Sequence, residues 1–416
     1  MPTAPTASSS SSAVERCVGD AAAFVRDHWA TAPLLRRGAG CSSASQACPD
    51  GFDDLLSLDG VDRFLSTSPR TPAFRLVKDG QPLPPASYTK SGRIGSHPVG
   101  DLADAGKVYD HFHAGATIVL QGLHRWWPPL TAFCRDLELF LTHPVQVNAY
   151  LTPPAARGLG VHHDTHDVFV LQVHGRKLWQ VWDAAVPFPL GHQKALPPGT
   201  ESPTEAPLVD AELAPGDCLY VPRGFRHAAR TAETASLHLT VGMLTRNWND
   251  LLREVVEQAT EEEWFREGLP VGYAADPAAL EASLADRVAE LRRFLDKVDL
   301  GQVADRAARR FWSSRPPPLR GQLRALLSLE ELGDDSEVRR RPGATCRLRV
   351  TGDRLEVLLG DRTLTMPAHL EPAVRRLLDA DRCTPADLAG ELDGPSRLVL
   401  VRRLVREGLL QPTAVG

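Results

Sequence analysis

The stretch His162-His-Asp-Thr-His-Asp-Val-Phe-Val-Leu-Gln-Val-His-Gly-Arg-Lys177 decides both the fold and the chemistry that this sequence predicts. His162 and Asp164 stand two positions apart, and a strand-forming run follows them as far as Lys177. On a β-strand, residues i and i+2 point to the same face, so this histidine and this carboxylate can grip one side of a metal ion. A second histidine from a distant strand would complete the two-histidine, one-carboxylate set of non-haem Fe(II) oxygenases.

The sequence offers that second histidine further along the chain. Gly216-Asp-Cys-Leu-Tyr-Val-Pro-Arg-Gly-Phe-Arg-His227 places His227 just past a predicted strand and a Pro-Arg-Gly turn. His166 is the competing first ligand, because it shares a face with the aspartate. The barrel pattern and the downstream histidine favour His162 instead. His163 points away from that face in an extended segment, so we expect it to form part of a wall or a loop.

Length and composition limit the classes of protein to consider. The 416 residues predict two or three domains, and 43% hydrophobic with 24% charged residues is typical of a globular chain. The seven cysteines are scattered and form no C-x-x-C pair, which indicates reduced thiols in a cytoplasmic protein. Residues 1–12 predict a disordered tail, and no apolar run approaches the length of a membrane span.

Local patterns predict the architecture of the first part of the chain. A capping-box spacing at Ser12 predicts a helix as far as Trp29, and residues 80–108 predict a long loop. From Val145, short strands of period two follow one another between Gly/Pro turns. We therefore expect an α+β fold in which residues 13–245 form a double-stranded β-helix, or jelly-roll barrel, with a helical N-terminal flank.

The pattern changes after Gly242. Apolar residues at helical spacing predict a helical domain over 246–335, which either packs on the barrel or forms a dimer. Residues 345–416 show two strand runs, a helix, a second helix beginning at Thr384 and a third over 396–407, which is the order of a winged-helix module. Four arginines on the third helix suggest DNA, but a formal net charge of −5 for the chain argues against a nucleic-acid partner.

A cosubstrate can be inferred from the same region. Fe(II) in this coordination needs electrons to activate dioxygen, and 2-oxoglutarate supplies them while it chelates the metal. Its remote carboxylate needs a cation and hydrogen-bond donors when it is buried. Lys177 fits as the cation, and Tyr150 and Asn148 fit as donors on the preceding strand. Thr240 and His238, on the polar face of the last strand, are expected to line the same cavity.

Five motifs together resemble the JmjC-type cupin family of ribosomal oxygenases, the Fe(II)- and 2-oxoglutarate-dependent protein hydroxylases. They are Asn148-Ala-Tyr-Leu-Thr-Pro-Pro154, Gly158-Leu-Gly-Val-His-His-Asp164, Asp167-Val-Phe-Val-Leu-Gln172, Gly175-Arg-Lys177 and Pro222-Arg-Gly-Phe-Arg-His227. The resemblance implies that the catalytic iron ligands are His162, Asp164 and His227. It implies that 2-oxoglutarate is held by Lys177, Tyr150 and Asn148. It further implies a homodimer built by the helical segment, followed by a winged-helix domain.

The sequence departs from the family at two positions beside the metal. The family often has Pro before the first ligand and Tyr or Thr after it, where this chain has Val161 and His163. Both positions face the substrate, so they affect which target is chosen more than the oxygenase chemistry. The family implies a ribosomal protein hydroxylated at Arg or His. Alternatives are hydroxylation of a peptide natural-product precursor, N-methyl demethylation, a non-catalytic metal-binding cupin that serves as a winged-helix regulator, and a cupin of small-molecule metabolism.

Overall fold

A computed structural model describes residues 12–38, 51–156, 160–231 and 233–413 of the chain. The chain divides into two compact units, the first ending at Thr245 and the second beginning at Arg246. Apart from Ser12, the predicted tail over 1–12 lies outside the described residues. None of the described helices combines the length and the apolar composition that crossing a bilayer requires.

The first unit begins with short helices. The continuous helix predicted from Ser12 to Trp29 is wrong: the chain breaks at Gly19, which has a positive φ of 78°, and Asp20 caps a second helix. Ser12 does form the predicted capping box with Glu15. The helices of this unit are α1 (Ala13–Val18), α2 (Ala21–Asp27), α3 (Leu58–Ser66), α4 (Ala105–His113) and α5 (Pro128–Leu141).

Thirteen strands of the described chain belong to the same unit. They are β1 (Leu34–Arg36), β2 (Phe74–Lys78), β3 (Gln81–Pro82), β4 (Thr89–Ile94), β5 (His97–Ala103), β6 (Thr117–Leu120), β7 (Val145–Thr152), β8 (Asp167–His174), β9 (Lys177–Ala184), β10 (Val209–Leu213), β11 (Cys218–Val221), β12 (Phe225–Thr231) and β13 (Ser236–Met243). The predicted loop over 80–108 is wrong, because β4 and β5 pair as a hairpin there and α4 begins soon after. Four of the six residues of β4 are exposed, and three of those four are polar, so the strand shows no apolar alternation.

Two sheets pack face to face. The larger has the order β1-β11-β8-β13-β7-β6-β2-β3, and the smaller has the order β10-β9-β12. Alternation along β8 explains how the larger sheet is covered on both faces. Val168 and Val170 pack against the smaller sheet, whereas Phe169 and Leu171 belong to the core that includes the helices. The space between the two sheets holds the candidate site.

Two glycines fix the turns that precede site residues. Gly175, between β8 and β9, has φ +65°, and a Cβ there would lie 1.8 Å from the carbonyl oxygen of Ala235. Gly224, between β11 and β12, has φ +86°, and a Cβ would lie 2.1 Å from the carbonyl oxygen of Val186. Both positions therefore require glycine for conformation and for space.

The second unit combines helices and small antiparallel sheets. Its helices are α6 (Trp248–Glu257), α7 (Glu263–Arg266), α8 (Pro277–Leu295), α9 (Leu300–Trp312), α10 (Gln322–Leu327), α11 (Glu371–Asp379) and α12 (Gly394–Arg406). Its strands are β14 (Val338–Arg340), β15 (Cys346–Thr351), β16 (Arg354–Leu359), β17 (Thr363–Pro367) and β18 (Leu410–Pro412). Strands β15, β16 and β17 form one sheet, and β14 pairs with β18. The helix predicted to begin at Thr384 is only a single 3-10 turn, Pro385–Leu388.

A hydrophobic core of the second unit draws on the segment from Ala325 to Leu410. Val357 of β16, Leu377 of α11 and Leu404 of α12 are among its fully buried members. By contrast, α8 has no buried residue along its whole length. The described residues thus place a packed core at the C-terminal end of this unit and an uncovered helix before it.

Candidate active site

Main-chain hydrogen bonds link the segments that carry the predicted metal ligands. The N–H of His162 donates to the carbonyl oxygen of His227 (3.1 Å), and the N–H of His227 donates to that of His162 (2.8 Å). The N–H of Gly224 donates to the carbonyl oxygen of Asp164 (2.9 Å). The segment before β8 is therefore fixed to the start of β12 and its Pro-Arg-Gly turn.

The three side chains converge on one point. One ligand atom from each of His162, Asp164 and His227 lies within 4.8 Å of the other two. The Nδ1 of His162 faces the carbonyl oxygen of Gly160 at 2.8 Å, and the Nδ1 of His227 faces that of Phe225 at 3.1 Å. A carbonyl only accepts, so both Nδ1 atoms carry a proton, which leaves the Nε2 atom of each ring as the one that can bind a metal ion. Histidine ligands of metals are oriented in this way.

Electrostatics hold these groups in the charge states that bind a metal. Burial raises the pKa of Asp164, but the neighbouring histidines, His227 first among them, outweigh it and lower the pKa below its usual value. Burial, helped by the charge of His162, lowers the pKa of His227 to about 4. A carboxylate at Asp164 and a neutral imidazole at His227 are the ligand states that a divalent metal requires.

Behind the three ligands lies a cavity of about 230 Å³, which we call the central cavity. Lys177 lines it with only 4% of its surface exposed, and its Nζ donates to Thr152 Oγ1 at 3.3 Å. Burial lowers the pKa of Lys177 to about 8, and no carboxylate in the described part of the chain forms an ion pair with it. An uncompensated buried ammonium favours an anion as the occupant of this cavity.

Three further residues anticipated from the sequence line the same cavity, namely Tyr150, His238 and Thr240. The rings of Tyr150 and His238 stack with centroids 5.1 Å apart, and Trp179 meets His238 edge-on at 5.4 Å. Burial, with the charge of Lys177, lowers the pKa of His238 well below its usual value, so its ring is neutral. Its Nδ1 is buried and bonds to no described protein atom.

Asn148 is the one predicted site residue that does not line the central cavity. It lines a neighbouring cavity, and its Oδ1 accepts a hydrogen bond from the N–H of Gly122 at 3.0 Å. His163 and His166 are not members of the converging set. The Nε2 of His163 lies 2.8 Å from the carbonyl oxygen of Gln193, and the ring of His166 packs over Gly242.

Sequence reasoning missed three polar residues of the central cavity, Arg75, Thr117 and Thr152. Arg75 lies between the fully buried Phe74 and Leu76 on β2, and its Nε donates to Gln121 Oε1 at 2.6 Å. The available signal was a charged residue between two apolar ones, Phe74 and Leu76. The two threonines resemble ordinary strand residues, and only the pairing of strands brings Thr152 to Lys177.

Comparison with known proteins agrees with this geometry. Residues 128–251, which include all three converging side chains, match the family model of the JmjC domain. This stretch of the chain is similar to a JmjC domain. The family resemblance predicted from its motifs is thereby confirmed.

Two curated relatives and one solved structure describe the likeness. Ribosomal oxygenase 1 of Gallus gallus is 30% identical over 74% of this chain and 51% of its own length. The bifunctional lysine-specific demethylase and histidyl-hydroxylase NO66 of Dictyostelium discoideum is 28% identical over 74% of this chain and 62% of its own length. The chain thus spans between half and two thirds of the length of these two relatives.

The ribosomal oxygenase YcfD of Escherichia coli, solved in complex with cobalt and 2-oxoglutarate, is 20% identical. Its structure covers 94% of this chain and 97% of its own, with a TM-score of 0.53. At this identity the likeness establishes the fold alone. The chain has a mixed helix and sheet fold of the cupin type.

Proposed function

We propose that this chain is an Fe(II)- and 2-oxoglutarate-dependent oxygenase that hydroxylates a side chain of a protein. The observation that carries the proposal is one cavity with two chemically different ends. At one end His162, Asp164 and His227 converge, and at the other Lys177 is buried with no ion-pair partner among the described residues. The name of the YcfD complex, with cobalt and 2-oxoglutarate, supports a metal ion together with 2-oxoglutarate in this chain.

The three converging residues fit an iron ion. Two imidazole nitrogens and one carboxylate are the donor set of non-haem Fe(II) oxygenases, and they leave coordination positions open. Bound Fe(II) and 2-oxoglutarate would supply dioxygen activation, with succinate and carbon dioxide as by-products. The contribution of the chain is to turn both Nε2 atoms toward the metal by holding the Nδ1 atoms on carbonyl oxygens, and to hold His162 against His227 through their main chains.

The opposite end fits the remote carboxylate of 2-oxoglutarate. Lys177 would pair with it, and Tyr150 and Thr240 would donate hydroxyl hydrogen bonds. The unpartnered Nδ1 of the neutral His238 is a further group available to this end of the cavity. Asn148 was predicted as a donor, but its position outside the central cavity favours a role in supporting the strand β7.

The substrate class is inferred from the relatives. Their names support a ribosomal protein as the substrate and a His side chain as the target, and the resemblance of the motifs adds Arg as an alternative target. The name of the Dictyostelium relative also includes a lysine-specific demethylase, so N-methyl demethylation is the second candidate. The two outcomes differ in product, because demethylation releases formaldehyde whereas hydroxylation leaves one oxygen atom on the target. A peptide natural-product precursor would give the same mass change on a shorter chain.

We also propose how the domains of the chain are arranged along the sequence. The two packed sheets form a jelly-roll barrel over 13–245, followed by a helical dimerisation domain over 246–335 and a winged-helix-like domain over 345–416. Dimerisation is supported by α8, on which Leu284, Val288 and Leu295 are exposed at helical spacing. A second copy of the chain would cover this apolar face.

Nucleic acid is not part of the proposal. Three arginines of α12 already pair with acidic groups, Arg397 with Asp334, Arg402 with Glu330 and Arg403 with Glu407. The described cysteines are all free thiols, which supports the cytoplasm as the location.

Two measurements test the proposed function. Purified protein given Fe(II), 2-oxoglutarate, oxygen and candidate ribosomal proteins should form succinate, and a His162→Ala variant should not. Mass spectrometry of ribosomal proteins from cells with and without the gene should find one protein that carries an additional oxygen atom only when the gene is present. Metal binding without succinate, for every candidate substrate, would favour a non-catalytic regulator instead.

A further inference from the structure

A second cavity, of about 890 Å³, lies next to the central one. We call it the arginine cavity, because Arg63, Arg70 and Arg125 all line it. The three arginines come from different segments: α3, the segment before β2, and the turn before α5. No function assigned above uses this cavity.

The charges of the arginine cavity have one sign. No Asp or Glu residue is among the described residues that line it, although the chain as a whole carries a formal net charge of −5. The Nε of Arg70 donates to the carbonyl oxygen of Gly100, and no described carboxylate forms an ion pair with any of the three guanidinium groups. A cleft lined by one sign of charge attracts the opposite sign, so its ligand is anionic.

The arginine cavity adjoins the candidate active site at two places. On β7, Asn148 lines the arginine cavity and Tyr150 lines the central cavity. Being two positions apart on a strand, they point to the same face about 6.8 Å apart. A second connection is a hydrogen bond between the two linings. Arg75 lines the central cavity and donates to Gln121, which lines the arginine cavity.

We propose that the arginine cavity binds acidic residues of the polypeptide substrate, close to the residue that is modified. This inference rests on the proposed function, because it gives the substrate of that site a chemical character. Because the two cavities are lined by residues two positions apart on β7, a polypeptide with one side chain in the central cavity would have its neighbouring residues near the arginine cavity. Carboxylates there would pair with guanidinium groups that have no acidic partner within the described chain.

The aromatic residues of the cavity favour a polypeptide over RNA. Single-stranded RNA is bound by stacking successive bases on exposed rings. Of the aromatic residues that line the arginine cavity, only Trp126 is exposed, with 59% of its surface accessible. Phe64 and Trp127 are half-buried, and the Nε1 of Trp127 is bound to the carbonyl oxygen of Leu55.

Fluorescence anisotropy of labelled hexaglutamate tests this proposal without any turnover. The full chain should bind the peptide, and an Arg63→Glu, Arg125→Glu double variant should bind it at least about tenfold more weakly, because two charge pairs become repulsions. Arg93→Glu is the control: Arg93 is exposed, its guanidinium donates to the carbonyl oxygen of Ser96, and it is not among the residues that line the cavity. The control should bind as the parent chain does.

The outcomes separate this inference from the proposed function. Binding of Fe(II) and 2-oxoglutarate, monitored by absorbance, should be the same in the double variant and in the parent chain. This result would also show that the variant is folded. No binding of hexaglutamate by the parent chain, or equal binding by the double variant, would overturn the inference and leave the proposed function standing. Tighter binding of an oligouridylate than of hexaglutamate, lost in the double variant, would also overturn it, in favour of RNA.

Discussion

His162 and His227 exchange two main-chain hydrogen bonds although they are 65 positions apart, and their rings lie with centroids 4.3 Å apart. The spacing of the two imidazoles is therefore set by backbone pairing and by the Nδ1 contacts to carbonyl oxygens. Preorganised ligands of this kind bind a metal without a further rearrangement of the chain.

The first prediction decides between two histidines. His162→Ala should abolish Fe(II) binding, because it removes one of the three converging ligand atoms. His166→Gln should leave binding within a few-fold of the parent chain, because His166 lies outside the converging set. Equilibrium dialysis of Fe(II) under anaerobic conditions measures both. Loss of binding in the His166 variant with binding kept in the His162 variant would reverse the assignment.

The second prediction concerns the cosubstrate anchor. Lys177→Met should weaken 2-oxoglutarate binding roughly 10- to 100-fold, the cost of losing a hydrogen bond to a charged group. Arg176→Ala is the neighbouring control, because Arg176 is exposed and pairs with Glu212 on the surface. Calorimetric titration of the Fe(II)-loaded protein measures the change. Equal affinities in the two variants would exclude Lys177 from the site.

The third prediction is a pH dependence of 2-oxoglutarate affinity. Burial lowers the pKa of Lys177 to about 8, and the dicarboxylate binds the protonated ammonium. Affinity should therefore be constant below about pH 8 and fall as the pH rises above it, by up to about tenfold per pH unit. Lys177→Met should lack this dependence. A parent chain whose affinity does not change between about pH 7 and about pH 9.5 would contradict the assignment.

The fourth prediction tests the turn that carries His227. Gly224→Ala should lower the melting temperature and weaken Fe(II) binding, because the added Cβ would meet the carbonyl oxygen of Val186. The displaced turn also carries the N–H that binds the main chain of Asp164. Gly191→Ala, where a Cβ would meet no atom within 4 Å, is the control for both measurements. Unchanged Fe(II) affinity in the Gly224 variant would show that this turn does not position the ligands.

The fifth prediction concerns the proposed dimer. Light scattering of the parent chain should give twice the mass of one chain. Replacing Leu284 and Val288 by Glu should give a monomer, because charged residues would then stand on the apolar face of α8. A parent chain that is monomeric at micromolar concentration would refute the proposal.

Much of the candidate site could be predicted from the sequence, because its residues lie in strands with clear alternation. The H-x-D spacing and the turn before His227 pointed to the three converging residues with His166 as a competitor, and the resemblance of the motifs implied His162. Arg75 and Thr152 could not be found, because their place in the cavity depends on which strands pair. The same limit applies to Asn148, which was expected beside Lys177 and lies in the neighbouring cavity instead.

The fold was predicted less completely where local signals are weak. The hairpin of β4 and β5 carries no strand signal in the sequence, because its strands are mostly exposed and lack an apolar face. Gly19 was expected to lie within a helix, but it adopts a positive φ and ends α1. The turn at Pro385–Leu388 shows a capping box without a continuing helix, which local pattern alone does not reveal.

The most direct test of the central claim is an anaerobic titration of the protein with Fe(II) and 2-oxoglutarate, followed by addition of oxygen and an assay for succinate. The account predicts a weak visible absorption band that needs both ligands and is absent in His162→Ala and in Lys177→Met at the same 2-oxoglutarate concentration. It also predicts succinate after oxygen is added. No band and no succinate from the parent chain would contradict it.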